Sequence, residues 1–97
     1  MKIISVKTIR PIIFPNLIYL HITTDEGIIG LGETFLGAAG IESHIHEVIA
    51  PYLLGSDASK ISLHHELLKG FLGVGGSGTE NRSRSAVDIA LWDIHGK

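Results

Sequence analysis

Cysteine is absent from the 97-residue chain, so neither a disulfide framework nor a thiolate metal site can be built from it. Charge is sparse as well. Charged residues make up 19%, and eight Lys+Arg against ten Asp+Glu leave a net charge of -2. That balance offers no basic patch, and nucleic acid is not an expected partner. Long apolar runs are also missing. None nears the roughly 18 residues of a membrane span, so no membrane partner is expected. Met1-Lys2-Ile3-Ile4-Ser5-Val6-Lys7 alternates where a signal peptide would be continuously apolar. Nothing argues for secretion, and a cytoplasmic location is the expectation. No internal repeat or low-complexity tract occurs. What the chain does have is apolar content: 44% hydrophobic residues and a mean hydropathy of +0.31. Disorder is thereby excluded, and one domain with a modest core is expected.

The pattern places strands first and helices after. Residues 2–10 alternate as a strand with apolar groups on both faces, so periodicity alone does not choose the buried one. Pro11 and Pro15 bracket Ile12-Ile13-Phe14, which makes that piece an edge or loop. It is apolar for a loop, which implies that something covers it. Residues 17–24 are rich in β-branched and aromatic types and predict a second strand. Asp25-Glu26-Gly27 predicts a tight reversal, and residues 28–35 return as a third strand. Gly30 and Gly32 share one face, leaving it flat for a close-packed neighbour or for a ligand. Ile41, Ile45, Val48, Ile49, Tyr52 and Leu53 then recur at helical spacing, with Pro51 in the last turns and Gly55 closing the helix. Asp57 is a plausible N-cap for a short turn that leads into a second helix over 60–71, with Ile61, His64, Leu67, Leu68 and Phe71 as its stripe. A third helix fits 79–95, with Thr79 as its cap. Val87, Ala90, Leu91 and Ile94 form one apolar face, and Ala86, Ile89 and Trp92 extend it nearly all round, which predicts burial on several sides. The class is α+β: a three-stranded antiparallel meander followed by helices.

The motifs carry little chemistry by themselves. Residues 73–78 spell G-x-G-x-x-G, but they follow a helix rather than a strand. A hinge or lid fits them better than a dinucleotide site. His44 and His46 diverge on a helix, as do His64 and His65, and no H-E-x-x-H is present, so a histidine metal site is the weaker reading. Glu33 near the end of the third strand fits a structural role first. Asp88 and Asp93 on the third helix are expected to pair with Arg82 and Arg84. No serine sits in a nucleophile elbow. The residues alone describe a small α+β domain without a complete active site. A free-standing module that buries its last helix in a dimer is one reading of that.

Three stretches together point further. Met1-Lys2-Ile3 opens a strand. Leu20-His21-Ile22-Thr23-Thr24-Asp25-Glu26-Gly27-Ile28-Ile29-Gly30-Leu31-Gly32-Glu33 runs through a hairpin. Ser85-Ala86-Val87-Asp88-Ile89-Ala90-Leu91-Trp92-Asp93-Ile94-His95-Gly96-Lys97 forms the last helix. The chain resembles, over essentially its whole length, the amino-terminal capping domain of the enolase superfamily in its mandelate racemase/muconate lactonizing branch. Members read T-D-E-G-x-x-G-x-G-E across that hairpin and A-x-D-x-A-L-W-D-x-x-G-K at the approach to the barrel.

The resemblance implies that residues 1–80 are a cap and that 81–97 lead into a TIM barrel of roughly 200 or more further residues, outside this sequence. The implied chemistry is removal of the proton α to a carboxylate, with Mg²⁺ stabilising the enediolate and a Lys or His base. Those groups lie on barrel strands. No catalytic residue and no metal ligand is carried onto this chain, and Lys97 is not the barrel's catalytic lysine. The fragment alone is therefore expected to be inert. The cap would select a small-molecule carboxylate by closing over the barrel mouth. Its closing segments would be 12–16 and 34–40, with 73–78 a third candidate. Ile13, Phe14, Asn16, Glu33, Thr34 and Phe35 are the substrate-capping candidates. A sugar-acid dehydratase is slightly favoured over a racemase or cycloisomerase, although this lid is more apolar than dehydratase lids often are. Homo-oligomers are common in the family and are expected here.

Overall fold

The computed structural model describes residues 1–67 and 78–97. The expected run of the second helix through Leu68 and Phe71, and the glycine segment 73–77, lie outside the described residues. β1 (Ile3–Ile9), β2 (Leu17–Thr24) and β3 (Ile29–Phe35) form one antiparallel sheet in the order β1-β2-β3. Between β2 and β3 the chain reverses with Gly27 at φ 79°. Such a φ suits glycine because it lacks a Cβ. The Thr24 hydroxyl closes the turn by accepting the Ile28 N–H at 3.2 Å.

Period-two alternation sends Ile18, Leu20 and Ile22 to a single buried face, opposite Thr34, Gly32 and Gly30 on β3. On β1 the register slips between Ile3 and Ser5. That irregularity puts both Ile3 and Val6 against the core although they are three residues apart. It also explains why the β1 pattern reads as apolar on both sides.

The first helical region starts at Ala38, earlier than the apolar stripe suggests. It comprises α1 (Ala38–His44), a π-helical turn (Ile45–Ile49) and α2 (Ala50–Leu53) without a break. Pro51 accounts for the π turn. Proline has no N–H for the carbonyl four residues back. Widening the turn lets the Ala50 N–H reach the Ile45 carbonyl instead, and Pro51 falls in the first turn of α2, where no donor is needed. The wider turn has a second effect. In an ideal α-helix four residues rotate about 40° beyond a full turn, so a row spaced by four drifts around the cylinder. Here Ile41, Ile45, Ile49 and Leu53 all stay fully buried. Val48 and Tyr52, expected in the same stripe, are left exposed.

α3 (Ile61–Leu67) follows a turn built on Asp57. Asp57 caps this turn, as its sequence position suggests. Its Oδ1 accepts the Ser59 N–H at 2.9 Å and the Ser59 hydroxyl at 2.7 Å. These two bonds hold its carboxyl below the usual carboxylate range.

α4 (Thr79–Gly96) crosses the inner face of β3. A Cβ on Gly30 would strike the Ala90 carbonyl and the Ile94 side chain, and one on Gly32 would strike the Ala86 carbonyl. The flat face is therefore filled by a helix, not by a ligand. Gly78, not Thr79, precedes the helix as its cap. Val87, Ala90, Leu91 and Ile94 are buried as expected, with Ala86 beside them. Ile89 and Trp92 are instead exposed, so burial on all sides is not met within this chain.

The expected ion-pair set on α4 is replaced by different partners. Asp93 Oδ2 accepts the Leu31 N–H at 2.8 Å and pairs with Lys97 Nζ at 3.0 Å. Lys97 Nζ in turn donates to the Ile29 carbonyl at 2.8 Å. Asp88 lies 3.9 Å from His65 Nδ1, and Arg84 donates to Asn81. Sequence spacing within one helix could not show that the Asp93 partner lies on a strand.

Two outcomes follow. Gly32→Ala should lower unfolding stability by roughly 2–4 kcal/mol, because backbone rather than a movable side chain meets the new methyl; urea unfolding measures it. The Leu31 N–H first, then Lys97, hold the Asp93 carboxyl below its ordinary value. Its contribution is thus present above the unfolded carboxylate pKa of about 3.9 and is lost as pH falls through the lower folded value. Asp93→Asn should flatten that acid-side fall in denaturation midpoint, and an unchanged pH profile would contradict the assignment.

Candidate substrate-capping site

Between β1 and β2 the chain exposes an apolar triplet. Ile12 is 97%, Ile13 82% and Phe14 62% solvent-accessible. Three large apolar residues in water on one loop are costly, and such patches mark interaction surfaces. The loop is nonetheless ordered at its foot, where the Leu17 N–H donates to the Phe14 carbonyl at 3.0 Å. Its beginning is tied to α1, where Arg10 Nε meets Glu42 Oε1 at 3.3 Å. The same Glu42 takes the Thr8 hydroxyl proton at 2.7 Å. That hydroxyl has one proton to give, so His46 Nε2, 2.7 Å away, donates to it.

The second segment leaves β3 with an uncommon backbone. Leu36 has φ 69° and Gly37 φ 66°. A left-handed conformation is easy for glycine and strained for leucine. Two contacts accompany it. The Leu36 N–H donates to the Asn16 carbonyl at 3.0 Å, joining the two lid segments. The Arg82 guanidinium lies over the Phe35 ring, 5.4 Å from its centroid, and donates to the Phe35 carbonyl at 3.4 Å.

An open cleft of about 360 Å³ lies between the segments, lined by Ile13, Phe14, Pro15, Asn16, Leu17 and Phe35. Four of the six residues singled out from sequence thus share one wall: Ile13, Phe14, Asn16 and Phe35. The other two do not line it. Glu33 is exposed on the outer face of the sheet across from Tyr19, and Thr34 is buried on the inner face with Gly30 and Gly32. Strand alternation separates Thr34 from Phe35, whereas Glu33 shares the Phe35 face but stands two residues further along the strand, beside Tyr19 instead of the cleft. Pro15 falls within the expected closing segment 12–16, whereas Leu17 and Arg82 belong to the site without having been named for it. Nothing in the local pattern marks Arg82, because its partner is 47 residues away.

Among the described residues, the cleft lining includes no acid, base or nucleophile. Among the described residues, no group of three or more His, Cys, Asp or Glu side chains comes together to hold a metal ion. His64 is buried and bonds the Asp57 carbonyl through Nε2 at 2.8 Å, while its neighbour His65 faces Asp88. No helix of the described residues is long and apolar enough to cross a membrane.

A meander of three strands with a long helix packed across its inner face defines an α+β cap-type fold. The family model for the mandelate racemase/muconate lactonizing enzyme N-terminal domain matches residues 4–97, and the chain belongs to that family within the enolase superfamily. It is similar to an enolase of the mandelate racemase subgroup from Agrobacterium tumefaciens, with a TM-score of 0.95 and 50% identity over 99% of this chain and 27% of that one. A racemase from Streptomyces coelicolor A3(2) with bound magnesium superposes with a TM-score of 0.85 and 32% identity over 97% of this chain and 30% of that one. A D-mannonate dehydratase from Sphingomonas sp. (strain SKA58) is 39% identical over 99% of this chain, and a D-galactonate dehydratase from Verminephrobacter eiseniae (strain EF01-2) is 35% identical over 100%. The chain spans 24% and 25% of those two dehydratases.

The Leu36 conformation sets a prediction. Leu36→Val should destabilise the fold by about 1–2 kcal/mol, because a β-branched residue tolerates positive φ poorly. Leu36→Asn should be neutral or stabilising, since Asn accepts that region. Thermal unfolding of both variants tests this, and the reverse order would show that packing rather than backbone governs the site.

Proposed function

We propose that the chain is the substrate-covering cap of a Mg²⁺-dependent sugar-acid dehydratase. The observation that carries this is the apolar cleft between the two lid segments, on a domain whose described residues bring no reacting groups to it. The dehydratase names of two relatives support the substrate class, a small polyhydroxy carboxylate. Magnesium is supported by the racemase neighbour that binds it. The ion would supply charge stabilisation for the enediolate, on ligands outside this sequence. A homo-oligomeric state and a cytoplasmic location rest on the family resemblance.

Residues 1–80 form the cap in this reading, and 81–97 lead from it. α4 packs one face on β3 and leaves Ile89 and Trp92 open on another, toward the barrel that would follow. Ile13, Phe14 and Phe35 close the mouth of the site and exclude water from it. Exclusion strengthens the electrostatics inside and prevents loss of a reactive intermediate. Asn16 adds a polar contact at the rim.

The chain by itself, incubated with Mg²⁺ and D-mannonate or D-galactonate, should give no turnover above a blank. Expressed together with its downstream reading frame, it should convert a sugar acid to the 2-keto-3-deoxy acid that loss of water must yield, and EDTA should abolish the reaction. A racemised or cyclised product with no loss of water would move the assignment to a racemase or cycloisomerase of the same branch. A stable discrete dimer of the isolated chain with no downstream frame would favour a free-standing binding module.

A further inference from the structure

Phe35 is the residue at which both lid segments meet. Its strand partner is Leu17, the first residue of β2, and both side chains line the cleft. The next residue, Leu36, takes the strained left-handed conformation and bonds the Asn16 carbonyl. Something must hold this turn in place, because strain of that kind persists only where the surroundings over-determine it.

We propose that Arg82 is a positioning residue for the lid: its guanidinium fixes the Phe35 ring and carbonyl, and through them the junction of the two closing segments. The inference rests on reading those segments as the cover of the substrate. Two independent contacts with Phe35 carry it, the ring stacking at 5.4 Å and the carbonyl bond at 3.4 Å. One restrains the side chain that forms the cleft wall, and the other restrains the backbone just before the left-handed turn. A guanidinium suits both tasks, since it is planar enough to lie on a ring and still has N–H groups to donate.

The position of Arg82 on its own helix adds weight. It lies in the first turns of α4, with its N–H bonded to the Gly78 carbonyl. A cation there opposes the helix dipole, which favours carboxylates at that end. The helix does not call for an arginine at this place, whereas the lid does. Because α4 is locked to β3 at Gly30 and Gly32, Arg82 also reaches Phe35 from a rigid base. A lid residue held from rigid structure keeps its wall in place before a ligand arrives, which lowers the cost of ordering it on binding.

Amide hydrogen exchange on the 97-residue chain tests the proposal directly. Arg82→Gln should speed exchange of the Leu36 amide about fivefold, with the Ile22 and Ala90 amides unchanged. Arg82→Lys, which keeps the charge but not the planar fork, should recover part of the protection. An unaltered Leu36 amide in Arg82→Gln would overturn the proposal, as would equal acceleration of all amides, which would mean that Arg82 serves only global stability. In the cap joined to its barrel, Arg82→Gln should raise KM for the sugar acid about three- to tenfold with kcat within twofold, the signature of lost uniform binding. An unchanged KM would overturn the role in substrate capture. If the wild-type enzyme turns over no sugar acid, the functional reading fails, while the exchange experiment still decides the role of Arg82.

Discussion

At Gly30 and Gly32 the backbone of β3 meets α4 with no side chain of its own between them. Nearly every other feature depends on that close approach. It lets an 18-residue helix lie on a three-stranded sheet, and it brings Ala86, Ala90 and Ile94 into a core shared with Ile18, Leu20 and Ile22. A small domain has little interior to spend on imperfect packing. One added methyl at this seam would push the helix off the sheet and open that core.

The seam also manages the free edge of the sheet. β3 is an outer strand, and unpaired backbone groups on an outer strand invite pairing with other chains. Side chains of α4 occupy three of them. Asp93 takes the Leu31 N–H, Lys97 takes the Ile29 carbonyl and Arg82 takes the Phe35 carbonyl. The hairpin motif G-x-G and the helix motif D-x-x-G-K thus belong to one joint. The glycines permit the approach, and the charged residues fasten the strand edge to the helix once it has approached.

This firm half of the molecule carries a softer one. The loop after β1 and the turn after β3 expose large apolar groups and hold a leucine at positive φ. Both are unfavourable in isolation, and both are anchored from the frame, at Glu42 on one side and at Arg82 on the other. Their cost is borne by the rigid part that anchors them.

Local pattern determined the elements. Alternation and turn residues set β2 to residues 17–24, and the row of four-spaced isoleucines marked the first helix, because strand and helix periods are properties of neighbouring residues. The order of strands before helices carried the α+β class, and two motifs carried the family. The tertiary structure decided what contacts across distance decide. It chose the buried side of β1 through a register slip, and it filled the flat glycine face with α4 instead of a ligand. It gave Asp93 a strand amide and Lys97 for partners, not an arginine earlier on its helix. It also brought Phe14, Asn16 and Phe35 to one cleft, while alternation turned Thr34 inward and Glu33 stayed further along the strand. Partners separated by 47 or 62 residues leave no periodic trace in the chain, since only the folded path makes them neighbours.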